Sequence, residues 1–156
     1  AGLRGISFGN SLIKQVVEVL GAELPQLATF ATLSPIPGLV RWLDETGIAH
    51  PDTPAQTRAL AARYLLEAKA RDGQPRDPVA RFHLDNGAEV HAIHADADLS
   101  PRGQSQSLGA MVNYRYDPAR VEDNHETYAT AYHVVATREV KALVTPGADR
   151  ARGTRD

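Results

Sequence analysis

The sequence contains no cysteine, which removes disulfides, thiolate metal ligands and cysteine nucleophiles and leaves the redox setting of the protein open. It has no apolar run of the length that a membrane span needs. It shows no signal-peptide pattern, because the basic residues near its start lead into an amphipathic segment rather than a uniformly apolar one. A surplus of one charge sign is missing too. The formal net charge is −2, so nothing in the overall balance favours nucleic acid or an anionic membrane as a partner, and any anion site must be local. What is present is ordinary for a globular chain: 42% hydrophobic and 23% charged residues over 156 positions, enough for one domain with a real core.

The chain opens on Ala1, directly at a glycine-bearing loop that would need a preceding strand to position it. The expectation is therefore an N-terminally incomplete domain over residues 1–144, with its first strands missing. Residues 145–156 are rich in Gly, Arg and Asp without an apolar pattern, and a disordered tail is expected there. In the loop from Leu3 to Asn10, Gly5 and Gly9 precede a helix whose stripe is Leu12, Ile13, Val16, Val17 and Leu20. Backbone N–H groups at such a turn can approach a phosphate, and Arg4 can add a charge-assisted contact. A plain loop-to-helix turn fits the same residues.

A short buried strand is predicted over Leu27–Leu33, with Ser34 at its carboxyl end. Ligands collect at that end of strands in open α/β sheets, so Ser34 is a candidate site residue. Equally, Ser34 can cap the next helix with Pro35 in its first turn. Leu39, Trp42 and Leu43 mark that helix, through Glu45, and a longer one is predicted over Ala55–Ala70. Asp77-Pro78 reads as the cap and first residue of a short helix that Gly87 ends, with Val79, Phe82 and Ala80 as its inward stripe. His83, near that helix's end, is either a dipole-stabilised cation on the surface or a proton donor aimed into a cleft. Taken alone, the surface reading fits it better.

Ala88–His94 alternates as a strand, which places His91 and His94 on opposite faces and argues against their sharing a metal ion; no metal motif is seen. Ser100-Pro101 opens a polar helix ended by Gly109, and Met111–Tyr116 is a strand with Val112, Tyr114 and Tyr116 on one face. Tyr114 or Tyr116 can present a phenol to a cleft, but for either one, packing half-buried on the sheet is the better-supported reading. A charged helix from Asp117 to about Tyr128 and a last one through Val135, Val140 and Leu143 complete the pattern. The fold class is α/β (α+β), a mixed sheet flanked by helices.

Arg4-Gly-Ile-Ser-Phe-Gly9 ahead of its helix resembles the pyrophosphate loop of the N-acetyltransferase (GNAT) fold. In the segment from Ala80 to Ala88, His83 stands where that fold often has the tyrosine that protonates a departing CoA thiolate. Taken together, Ile6-Ser-Phe-Gly-Asn10, Thr32-Leu-Ser-Pro-Ile-Pro-Gly38, Asp77-Pro-Val-Ala-Arg-Phe-His-Leu-Asp-Asn-Gly-Ala88, Ser100-Pro-Arg-Gly103 and Met111-Val-Asn-Tyr-Arg-Tyr116 resemble the C-terminal catalytic domain of the malonyl-CoA decarboxylase family, from about Gly2 to Leu143. The resemblance implies a partial GNAT-like acyl-CoA-binding fold. It implies Ser34 and His83 as catalytic residues, Tyr116 as a supporting one, and Arg4, Gly5, Ile6, Ser7, Phe8, Gly9 and Asn10 as the CoA-binding loop. It implies malonyl-CoA and acetyl-CoA as substrate and product, with CoA entering only as part of the substrate and no separate cofactor. An N-terminal helical domain would make the full-length protein a homo-oligomer, and a bacterial cytoplasmic setting is expected.

Loss of CO2 from malonyl-CoA leaves an enolate of the acetyl thioester, which needs oxyanion donors already in place and then a proton on its α-carbon. The expectation is that Ser34 and His83 hold the substrate and that one relays the proton. His83 is the better acid at neutral pH, from a reference pKa of ~6.5, and serine delivers only within a relay. A CoA-dependent N-acyltransferase with His83 as the acid, or an inactive acyl-CoA-binding fragment, are the alternatives.

Overall fold

The computed structural model describes residues 29–144, and ahead of them residues 15, 16, 18, 19, 22 and 23 of a helix. The expected loop Arg4–Asn10, the start of the first predicted strand and the tail 145–156 lie outside the described residues. Of the first helix's expected stripe, Val16 is 48% exposed.

The described residues form strand β1 (Phe30–Pro35), helices α1 (Leu39–Thr46), α2 (Pro54–Glu67) and α3 (Pro78–Asp85), strand β2 (Glu89–His94), helix α4 (Pro101–Ser107), strand β3 (Met111–Tyr116), and helices α5 (Val121–Ala131) and α6 (Arg138–Leu143). Helices α2, α3 and α4 begin in the same way, with a capping side chain followed by proline. Thr53 accepts from the Gln56 N–H, Asp77 from Ala80 and Ser100 from Gly103. Each cap satisfies an N–H that the helix itself cannot, and proline lacks the N–H that would be orphaned beside it. Helix α1 differs. Its cap is Gly38, with no side-chain bond, so Ser34 is not a cap but part of β1.

Among the described residues the strands make one sheet in the order β1-β3-β2, antiparallel throughout. The mixed character expected of it is confined to an isolated parallel bridge between Val90 and Ala136, where the Val90 N–H donates to Val135 O and the Thr137 N–H donates to Val90 O. In β1 and β3, Phe30, Thr32 and Ser34 share a face with Val112, Tyr114 and Tyr116, and this is the covered face. Val90 and Ile93 join it from β2 although their spacing is odd, because the register shifts between Val90 and Ala92. The extra residue is His91. It breaks the alternation expected of this strand and puts Glu89, Ala92 and His94 together on the other face. Opposed faces are therefore not what separates His91 from His94. Among the described residues no three His, Asp or Glu side chains converge in a way that could hold a metal ion.

Helices α2 and α6 pack on β2, and α3 packs against α5. The buried stripe of α3 is Ala80, His83 and Leu84, at helical spacing, while Val79 and Phe82 are only half buried. Full burial of a leucine such as Leu84 contributes about 1.5–3 kcal/mol. Gly87, at φ 89°, ends the helix, and a Cβ there would run into the Val121 carbonyl of α5. Helix α2 stops at Glu67, short of Ala70, because the chain turns back on itself: the Ala70 N–H donates to Gln74 O and the Arg76 N–H to Ala68 O. Helix α5 starts at Val121 rather than Asp117, because Asp117 closes a turn by accepting from the Ala119 N–H. Val135, expected in the last helix, instead extends along β2. Among the described residues no helix is long and apolar enough to cross a membrane.

Candidate functional site

Each of Ser34, His83 and Tyr116 is delivered by a different element. Strand alternation turns Ser34 onto the covered face of β1 and leaves its neighbour Leu33 55% exposed on the other. The same alternation puts Tyr114 and Tyr116 side by side along β3. Helix α3, fixed at one end by Asp77 and at the other by Gly87, lays His83 across them. All three residues are buried, Ser34 at 6%, His83 at 8% and Tyr116 at 3% relative exposure.

The contacts form a chain. Ser34 Oγ lies 3.2 Å from His83 Nε2, and His83 Nδ1 lies 2.5 Å from the Tyr116 hydroxyl. Burial pushes His83 down to about 4, so the ring is neutral at pH 7. The expectation of an ordinary histidine serving directly as the acid gives way here, because removing the ring from water penalises its cation. Burial also raises the Tyr116 phenol, which keeps its proton. A phenol that keeps its proton can donate to Nδ1; in that tautomer the hydrogen of the neutral ring sits on Nε2 and donates to Ser34 Oγ, which leaves the serine's own proton free to point elsewhere.

Two neighbours complete the arrangement, and neither stood out in the sequence. The Tyr114 ring stacks on the His83 ring at 4.4 Å between centroids and 18° between planes. Its alternation with Tyr116 marked it as face-sharing, but not as the floor beneath a histidine. Thr32 Oγ1 lies 3.3 Å from Ser34 Oγ, so a second hydroxyl borders the first. Its signal was the period of two that places Thr32 and Ser34 on one face. The remaining predicted residues, Arg4 to Asn10, lie outside the described residues.

A neutral imidazole held between a buried phenol and a serine hydroxyl, over the carboxyl end of a sheet strand, can pass protons to a ligand without carrying a charge itself. This defines the chain as an α/β domain with a buried Ser-His-Tyr hydrogen-bond chain. The chain belongs to the malonyl-CoA decarboxylase C-terminal domain family, which matches residues 1–56 and 52–153. Among its relatives, a mitochondrial malonyl-CoA decarboxylase of the goose Anser anser anser is 33% identical, covering 92% of this chain and 38% of the relative. The crystal structure of malonyl-CoA decarboxylase from Rhodopseudomonas palustris superposes with a TM-score of 0.81 at 42% identity, over 92% of this chain and 39% of that one. The structure of the same enzyme from Agrobacterium vitis gives 0.78 at 40% identity, over 93% and 42%. The chain thus spans about two fifths of the length of the relatives it matches.

Proposed function

We propose that this chain supplies the catalytic site of a malonyl-CoA decarboxylase, on an acyl-CoA-binding fold of the GNAT type, with Ser34, His83 and Tyr116 as its proton-handling residues. The observation that carries the reading is the Ser34–His83–Tyr116 hydrogen-bond chain in a member of this family. In this reading the bond between the α-carbon and the carboxylate breaks, CO2 leaves, and the electron pair moves onto the thioester carbonyl as an enolate. The thioester is its own electron sink, so no metal or organic cofactor is called for, and CoA enters with the substrate. The Ser34 hydroxyl then protonates the α-carbon. The Nε2 hydrogen of His83 replaces the serine proton, the Tyr116 proton moves onto Nδ1, the phenolate is recharged from solvent, and the ring hydrogen returns from Nδ1 to Nε2 before the next turnover. One solvent proton is consumed for each CO2 released.

Desolvation of the substrate carboxylate would favour its loss. The loop Arg4 to Asn10 would hold the pyrophosphate, with Gly5 and Gly9 allowing close backbone approach. We extend the proposal to a homo-oligomer of the whole protein, in a bacterial cytoplasmic setting, on the resemblance noted above. Malonyl-CoA given to the whole protein is expected to yield CO2 and acetyl-CoA in equal amounts, with no transfer from acetyl-CoA to amines. Ser34→Ala and His83→Ala are each expected to lower kcat by ~10²–10³, the usual loss for one preorganised donor. Turnover within about threefold of the parent in either variant would remove that residue from the chemistry.

A further inference from the structure

Ser34 and His83 meet across two elements that share no hydrogen bond along their backbones, so something must hold the elements in register. The candidate is Asp77, which is fully buried at 0% exposure and lies outside the Ser-His-Tyr chain. Its Oδ2 accepts from the Ala80 N–H at 3.0 Å, an ordinary helix cap. The rest of the carboxylate has other partners. Oδ1 accepts from the Tyr64 hydroxyl of α2 at 3.3 Å, and the same oxygen lies against Gly38, 3.8 Å from where a Cβ would stand there. Gly38 is the residue on which β1, leaving Ser34, turns into α1. Every partner is a donor, the arrangement that suits a carboxylate.

The space around it is filled. A Cβ at Gly38 would overlap the Tyr64 hydroxyl, so the glycine that follows the Ser34-Pro-Ile-Pro segment is required for Tyr64 to reach Asp77. The Trp42 ring of α1 packs on Tyr64 with centroids 5.4 Å apart. One buried carboxylate therefore joins the start of the histidine helix to the last turn of α2, whose Tyr64 packs against the exit of the serine strand.

We propose that Asp77 is a positioning residue, whose carboxylate clamps the start of the His83 helix, through the Tyr64 hydroxyl packed against the Gly38 turn, and so sets the Ser34–His83 distance. This rests on the reading of that pair as the proton-handling site. Capping alone and clamping separate cleanly, because asparagine and serine are both good helix caps while neither offers a carboxylate to Ala80 and Tyr64 together.

The test uses Asp77→Asn and Asp77→Ser in the whole protein, with kcat and KM for malonyl-CoA, and the NMR titration of the His83 ring as a readout that needs no turnover. Clamping predicts a fall in kcat of about tenfold or more, with KM within about twofold, in both variants. It also predicts a His83 midpoint that climbs from about 4 toward its ordinary ~6.5 as the ring loses its fixed, dry seat. Parent-like kcat and an unmoved midpoint in folded variants would reduce Asp77 to a cap and overturn the proposal. If the parent releases no CO2, the decarboxylase reading fails by itself, and the His83 titration still decides about Asp77. Should both variants fail to fold, Tyr64→Phe, which removes one partner of the carboxylate, decides instead. The same shifts at smaller size support the clamp, and an unmoved midpoint overturns it.

Discussion

His83 and His94 make an instructive pair. Each has a ring nitrogen 2.5 Å from a side-chain oxygen, that of Tyr116 for one and of Asn113 for the other. Both oxygens belong to β3, on opposite faces of the same strand. By local contact the two histidines are alike. They differ in what lies above them. Helix α3 packs against α5 and encloses His83 with Tyr114 and Ser34, whereas His94 stands exposed. A hydrogen bond in water exchanges for another at little net gain, while the same bond in a dry interior fixes a tautomer and carries a heavy penalty if left unmade. Burial, not the contact, is what sets the two apart, and it is what suits His83 to the proton-handling role proposed for it.

The comparison can be broken first through pH. Burial holds His83 at about 4 in the folded chain against 6.5 in the unfolded one. As pH falls through that window the unfolded chain takes up a proton that the folded ring refuses, so stability is full above 6.5 and drops until about 4, where both states are protonated. The loss is ~3 kcal/mol as an order of magnitude. Urea unfolding across this range in the parent and in His83→Gln isolates the contribution, since other groups titrate alike in both. Equal pH slopes would mean that His83 is not held dry.

A smaller effect is expected from Tyr116→Phe. It leaves Nδ1 buried without its donor, and unfolding free energy should fall by ~1–3 kcal/mol. The ring hydrogen is then free to change nitrogen, which ¹⁵N shifts of His83 would report. No change in either would mean that water replaces the phenol and that the covered face is wetter than its burial implies. The smallest effect is reserved for the open face. His94→Ala removes an exposed side chain, and stability should stay within ~0.5 kcal/mol of the parent by urea unfolding. A larger loss would show the two faces to be less different than drawn here.

Much of this was legible in the sequence wherever the physics is local. Caps and prolines announced α3 and α4, since an orphan N–H and a fixed φ depend on adjacent residues only, while α2 was read from its apolar face and its Thr53-Pro54 start was missed. The alternation of Met111–Tyr116 gave β3 its two faces. Failures came where a distant partner intervened. The bulge at His91 answers to pairing with β3, and the inward turn of His83, against its reading as a surface residue, answers to the tyrosines beneath it. Resemblance to a family pointed to Ser34, His83 and Tyr116, although spacing in the chain says nothing about their meeting.

By itself, then, the sequence determined most of the segments that coil or extend, where α3 and α4 start, and which hydroxyl, imidazole and phenol were worth watching. Tertiary structure alone decided that these groups share one dry cluster, that the histidine is neutral, and that Asp77 caps a helix while reaching across to Tyr64. The reason is that a side chain's protonation and its partners are set by what excludes water from it. That exclusion is the work of residues far along the chain, which only folding brings near.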